Sequence, residues 1–148
     1  MSIEFKANGI EAAIRHIERT KGALRNRRSV NAKSVAVVDR WVQENFKTEG
    51  GNVGGWAPLK KQTIDRRRKG KGSGSAKILQ DVGWLRSKWR HIVTDDAAIL
   101  RSGVGYGIYH DSDKPRSKLP QRRILPKRDE IWPRIKQLFE EHIRNALR

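Results

Sequence analysis

No cysteine occurs among the 148 residues. Disulfides, thiol nucleophiles and thiolate metal sites are therefore excluded, and an intracellular assembly site is the natural expectation. Apolar side chains are scarce as well. Hydrophobic residues make up 36% of the chain, against ~45–50% in an ordinary domain when glycine is counted. The shortfall predicts that part of the chain packs only on partners. No apolar run approaches the ~20 residues that a membrane helix needs, and no leader peptide is visible. The expected protein is soluble, cytoplasmic at synthesis and without a membrane partner. Acids are the third scarcity: 16 Asp and Glu face 33 Lys and Arg, for a formal net charge of +17. Such a field attracts polyanions and repels copies of itself.

Convergent catalytic groups are missing from the pattern too. The four histidines, His16, His91, His110 and His142, fall on different predicted elements. His142 lies on an apolar helical stripe, where it reads as a packed or interface residue. His110 with Asp111 and Asp113 falls short of the ligand number and spacing of a metal site. The glycine-rich stretch lacks the G-x-x-x-x-G-K-[ST] pattern of a phosphate-binding loop. No Ser-His-Asp arrangement is readable. The expectation is no enzyme, no cofactor and no metal.

What the chain does have is clustered positive charge. Lys21, Arg25, Arg27, Arg28 and Lys33 follow one another without an acid. Lys60, Lys61, Arg66, Arg67, Arg68, Lys69 and Lys71 surround a lone Asp65. Lys114, Arg116, Lys118, Arg122, Arg123, Lys127 and Arg128 again have no acid between them. One such cluster reads as a solubilising surface. Three predict contact with DNA or with an acidic rim on a neighbouring protein.

The length predicts one domain, 1–148, with a real core. Asn8 and Glu11 suit a helix start. Ile10, Ala13, Ile14 and Ile17 then share a helical face. A second helix from about Ser29 carries Val35, Val38, Trp41, Val42 and Phe46 and is expected to lie against a sheet. Residues 47–77 are rich in Gly and Ser and read as a flexible loop insertion, with a short helix between Pro58 and Lys69. Gly50–Gly55 and Lys69–Lys77 are expected to be mobile in the free subunit and to order on assembly. Ile78 to Leu85 suits a short helical segment. Residues 89–94 alternate as a strand does, Thr94-Asp95-Asp96 turns, and Ala98 to Arg101 returns. Val104 to His110 reads as a third strand. A last helix carries Ile131, Ile135, Leu138, Phe139, His142, Ile143, Ala146 and Leu147, with Pro133 expected in its first turn. The predicted fold is α+β: an N-terminal helical pair, a small antiparallel sheet, a long C-terminal helix and a long basic glycine-rich loop.

Four blocks stand out against this background: Trp56-Ala57-Pro58-Leu59 with Thr63; Ile78-Leu79 with Gly83 and Leu85; Tyr106 with His110; and Pro120 with Arg122 and Leu125. In order and spacing they resemble the tail-completion, or virion-morphogenesis, family of Mu-type and P2-type tailed phages. The resemblance covers about residues 46–148, and the N-terminal third by position only. Gly107 stands where that family has Ala, and Asp111-Ser112-Asp113 where a Gly follows the His. The resemblance implies a structural virion protein of the neck that completes the tail and joins it to the head. It also implies a ring, often sixfold, seated against connector and tail-tube or sheath proteins, with genomic DNA in its lumen.

On that reading the partner-binding residues are Trp56, Pro58, Leu59, Arg66, Arg67, Arg68, Tyr106, His110, Arg122 and Arg123. Lys60, Lys61, Lys69, Lys71, Lys114, Arg116 and Lys118 are the residues expected to face DNA. Trp56, Trp84, Trp89 and Trp132 read as core or rim packing, as base-stacking platforms, or as interface anchors. Trp56, in a basic loop with little local core to join, is the expected anchor. The alternative to an assembly role is a free-standing, sequence-nonspecific DNA-binding protein. Charge supports it, but no helix-turn-helix, zinc finger or aromatic RNA-binding signature is present.

Overall fold

Helix α1 (Ile10–Arg25) and helix α2 (Arg28–Lys47) form the N-terminal pair. The computed structural model describes residues 9–114 and 119–148, so the capping role expected of Asn8 lies outside the described residues. The apolar stripe of α1 forms but is little covered: Ile10, Ile14, Ile17 and Leu24 are all exposed. Helix α2 does the opposite. Val30, Val35, Val42 and Phe46 are buried along one face, and the helix packs on both strands and on the C-terminal helix. Each such side chain contributes roughly 1.5–3 kcal/mol on burial.

Strand β1 (Trp89–Val93) pairs antiparallel with β2 (Ala98–Ser102), with Trp89 opposite Ser102 and Val93 opposite Ala98. The connecting turn is closed by Thr94 Oγ1, which accepts from the backbone N–H groups of Asp96 and Ala97. The start of α2 grips this turn. Arg27 donates to the Asp95 carbonyl and pairs with Asp96 at 2.8 Å, while Asn31 donates to the Thr94 and Asp95 carbonyls. The polar side chains of Arg27 and Asn31 thus fix the start of α2 to the hairpin turn.

Residues 48–56 form a hydrogen-bonded turn. The N–H of Gly50 donates to Asn45 O, and those of Val53 and Gly55 to Gly50 O. Trp56 N–H donates to Glu49 O at 2.8 Å. Gly50 sits at φ 94°, and a Cβ there would lie 2.5 Å from Trp56. Glycine is required here by left-handed backbone and close approach, which composition alone reads as flexibility. The next stretch holds helix α3 (Lys61–Arg66), which Pro58 precedes without entering, and runs on into a wider turn through Lys71.

Two expected elements do not form. Residues 78–83 are not helical: Leu79 and Gly83 take φ values of 58° and 77°, and only α4 (Trp84–Ser87) follows as a single turn. Ile78 is held instead by its N–H on Glu49 Oε1 at 2.6 Å, and Gln80 donates to Phe46 O. The third strand is also absent. Residues 105–107 make a 3₁₀ turn that leads into α5 (Ile108–Asp111). The turn presses Gly107 onto Leu85, where a Cβ would come within 2.9 Å of Leu85 Cδ1. Asp111 Oδ1 then accepts from the N–H groups of Ile124 and Leu125, and this fixes the return of the chain.

Helix α6 (Arg128–Ala146) closes the fold. Lys127 N–H donates to Glu130 Oε2 at 2.7 Å, and Asp129 and Glu130 favour the positive end of the dipole. Pro133 lies in the second turn, not the first, and the helix continues through it. The stripe from Ile131 to Phe139 is half-buried against α2 and α1, while Ile143 and Leu147 are exposed. The core proper joins Val42, Phe46, Trp56, Ile78, Leu85 and Ile124.

Candidate functional site

The four sequence blocks meet at one cleft of about 500 Å³. Leu59 and Thr63 come from the first block, Leu79, Gly83 and Leu85 from the second. Tyr106 and His110 come from the third, Pro120 and Arg122 from the fourth. The turn of α3 and the helical course of 105–111 place these side chains on facing walls. A third strand in place of the 3₁₀ turn and α5 would not form that wall.

Two guanidinium groups are buried in this wall. Arg122 is 5% exposed, and its Nε donates to Ala57 O at 2.9 Å and its Nη2 to Pro58 O at 3.3 Å. Its backbone N–H donates to His110 O. Among the described residues, no ion pair joins Arg122 to a carboxylate. Burial, and after it the neighbouring Arg67 cation, lowers the Arg122 pKa from its ordinary value. A guanidinium nevertheless remains charged in proteins, so the strain is electrostatic and stays in the wall.

Arg67 is 9% exposed. Its Nη1 donates to Ser75 O and Lys77 O, and its Nε lies 3.6 Å from Asp81 Oδ1. Asp81 also accepts from Ser73 N–H, and this bond first, then the Ser73 hydroxyl and the Arg67 and Arg66 cations, holds its carboxyl below the usual value against the opposing effect of burial. Among the described residues, Asp81 is the single carboxylate on the cleft wall, facing Lys60, Arg66, Arg67 and Arg122. The wall therefore carries a marked positive excess.

The other expected site residues fall elsewhere. Trp56 is 6% exposed and stands edge-on to Phe46 at 5.3 Å. Its Nε1 donates to Arg123 O at 2.9 Å. The expectation that it lacks a local core is overturned, because the 48–56 turn folds the indole back onto α2. Arg123 forms a two-pronged ion pair with Glu130 at 2.5 and 2.6 Å and lies over the Trp41 ring. That pair raises the Arg123 pKa and lowers that of Glu130 to about 2. Arg123 thus anchors α6 within the fold. Pro58, Arg68, Lys61, Lys69, Lys71 and Lys114 are exposed and do not line the cleft. Arg116 and Lys118 lie outside the described residues.

The partner-binding and DNA-facing residues expected from sequence did not include Asp81. The signal for Asp81 was the one carboxylate inside the mostly apolar 78–85 block. Among the described residues no cluster of three or more His, Asp or Glu side chains suits a metal ion. Asp111 is engaged by two backbone N–H groups, and Asp113 Oδ1 accepts from Gln121 at 2.5 Å. No described helix is long and apolar enough to cross a membrane.

No family model, no curated protein and no solved structure matches this chain. The tail-completion resemblance accordingly rests on the four sequence blocks.

Proposed function

We propose that this protein is a structural component of a phage neck, completing the tail and joining it to the head as a ring. One observation carries the reading. Each of the four blocks contributes residues between 59 and 122 to a single cleft, although Trp56, Pro58, Ile78 and Leu125 of the same blocks lie off it. Residues far apart in sequence that converge on one surface suit an assembly contact. The exposed stripe of Ile10, Ile14, Ile17 and Leu24 on α1 supports it, since contiguous apolar faces mark interaction surfaces. A ring, sixfold on this reading, uses head-to-tail contacts, so each subunit presents two different faces. The partners are then neighbouring copies, connector and tail-tube or sheath proteins, and the DNA that crosses the lumen. Lys60, Lys61, Lys69 and Lys71 are exposed and suit phosphate attraction without sequence reading. The protein acts in the virion and assembles in the host cytoplasm.

The test is Arg66→Glu in a phage that carries this chain. Arg66 is exposed on the cleft, so the fold survives its reversal. Heads and tails should accumulate separately in lysates. Normal joining would refute the reading. A salt titration on short duplexes addresses the DNA-binding alternative. A tight, discrete complex at physiological salt would favour that alternative, and weak binding indifferent to sequence favours assembly.

A further inference from the structure

We propose that the cleft receives an acidic peptide segment of a partner protein, seating one carboxylate beside Arg66, Arg67 and Arg122 and one apolar side chain beside it. The inference rests on the assembly reading and names the chemistry of its contact. Charge is the first argument. Four cations face the single carboxylate of Asp81, which is already engaged by Ser73 and Arg67. Arg122 is buried with carbonyl partners and, among the described residues, no acid. A buried cation without a counter-ion is costly, and an incoming carboxylate relieves that cost. Guanidinium groups suit carboxylate and phosphate alike, so charge alone does not choose between them.

The rest of the wall chooses. Leu59, Leu79, Val82, Leu119 and the Tyr106 ring line the same cleft. A phosphodiester backbone has nothing apolar to place there. A peptide carrying Asp or Glu next to a large apolar residue matches both halves. The concave shape agrees, since a duplex lies along an open basic face, whereas a single side chain enters a pocket.

The experiment is a nuclear magnetic resonance titration of the full chain, read at the Nε–H signals of Arg67 and Arg122. The probes are N-acetyl-leucyl-glutamate amide, its glutamine counterpart and dimethyl phosphate. The glutamate probe should give saturable shifts at both arginines, with the glutamine probe at least about tenfold weaker. Arg66→Glu should weaken the glutamate probe by about tenfold while leaving the remaining spectrum intact, and Tyr106→Ala should weaken it several-fold. Equal binding of the two peptides would overturn the carboxylate, and tighter binding of dimethyl phosphate would overturn the peptide in favour of nucleic acid. Absence of saturable shifts would overturn the site. The two readings fail separately. Lost particle joining in Arg66→Glu without glutamate binding leaves assembly standing and removes this inference. Glutamate binding with normal joining removes assembly and leaves the site.

Discussion

Trp56→Ala tests whether the glycine-rich turn is architecture. The indole is 6% exposed, packs edge-on against Phe46 and donates to Arg123 O. Truncating a core aromatic to alanine costs about 3–5 kcal/mol through lost transfer and the cavity left behind. The lost hydrogen bond adds little here. Arg123 O also accepts from Asn45 Nδ2 at 2.9 Å, so the carbonyl keeps a partner. Against a total stability of roughly 5–15 kcal/mol, a loss near 4 removes a large share. For a domain of this size it lowers the melting temperature by about 10 °C. Scanning calorimetry on wild type, Trp56→Ala and Trp56→Phe measures this. Trp56→Phe keeps most of the apolar area, drops the N–H donor and should cost about 1–2 kcal/mol. A fall below about 3 °C for Trp56→Ala, equivalent to roughly 1 kcal/mol, would mean that the indole is not core and that the turn is not folded onto α2.

Gly50→Ala should destabilise by about 2 kcal/mol or more, because it adds strain at φ 94° and a Cβ 2.5 Å from Trp56; an unchanged urea midpoint would refute the close approach. Arg67→Ala should expose residues 68–77 to trypsin, since Arg67 joins Ser75 O, Lys77 O and Asp81 across that stretch; an unaltered cleavage rate would refute the staple. Glu130, with its pKa lowered to about 2 by Arg123, contributes stability that is present above its ordinary value of 4.5 and is lost as pH falls toward 2. Its share is on the order of 1–2 kcal/mol after screening. Glu130→Gln should therefore flatten stability between those pH values, and a slope like that of wild type would count against the ion pair.

Elements with a sustained period were legible in the sequence, and those set by single backbone angles were not. Helix α2 and the β1–β2 hairpin follow their apolar spacing closely. The 104–110 segment fails because its alternation is real but its backbone is decided elsewhere. Asp111 bonds the 124–125 backbone, and Gly107 must touch Leu85. Neither condition leaves a periodic trace. The same holds for 78–83, where a positive φ at Leu79 is invisible to a pattern of apolar residues.

The site divides along a related line. Charge runs in sequence do not say which cations are already engaged. Arg66, Arg67 and Arg68 are consecutive, yet Arg67 is buried among backbone carbonyls while its neighbours are exposed. Arg122 and Arg123 divide in the same way. Arg123 is neutralised by Glu130 and holds α6, whereas Arg122 has two carbonyls and, among the described residues, no acid. Successive side chains leave the backbone in different directions, so a basic run in this fold supplies structural and ligand-facing cations by turns. The four blocks located the cleft because each has a residue committed to its wall. They could not sort the arginines, because that depends on where Glu130 and Asp81 come to lie. An unpaired cation beside paired ones is thus a property of the folded chain, and it is what makes Arg122 the group most in need of an anion from outside.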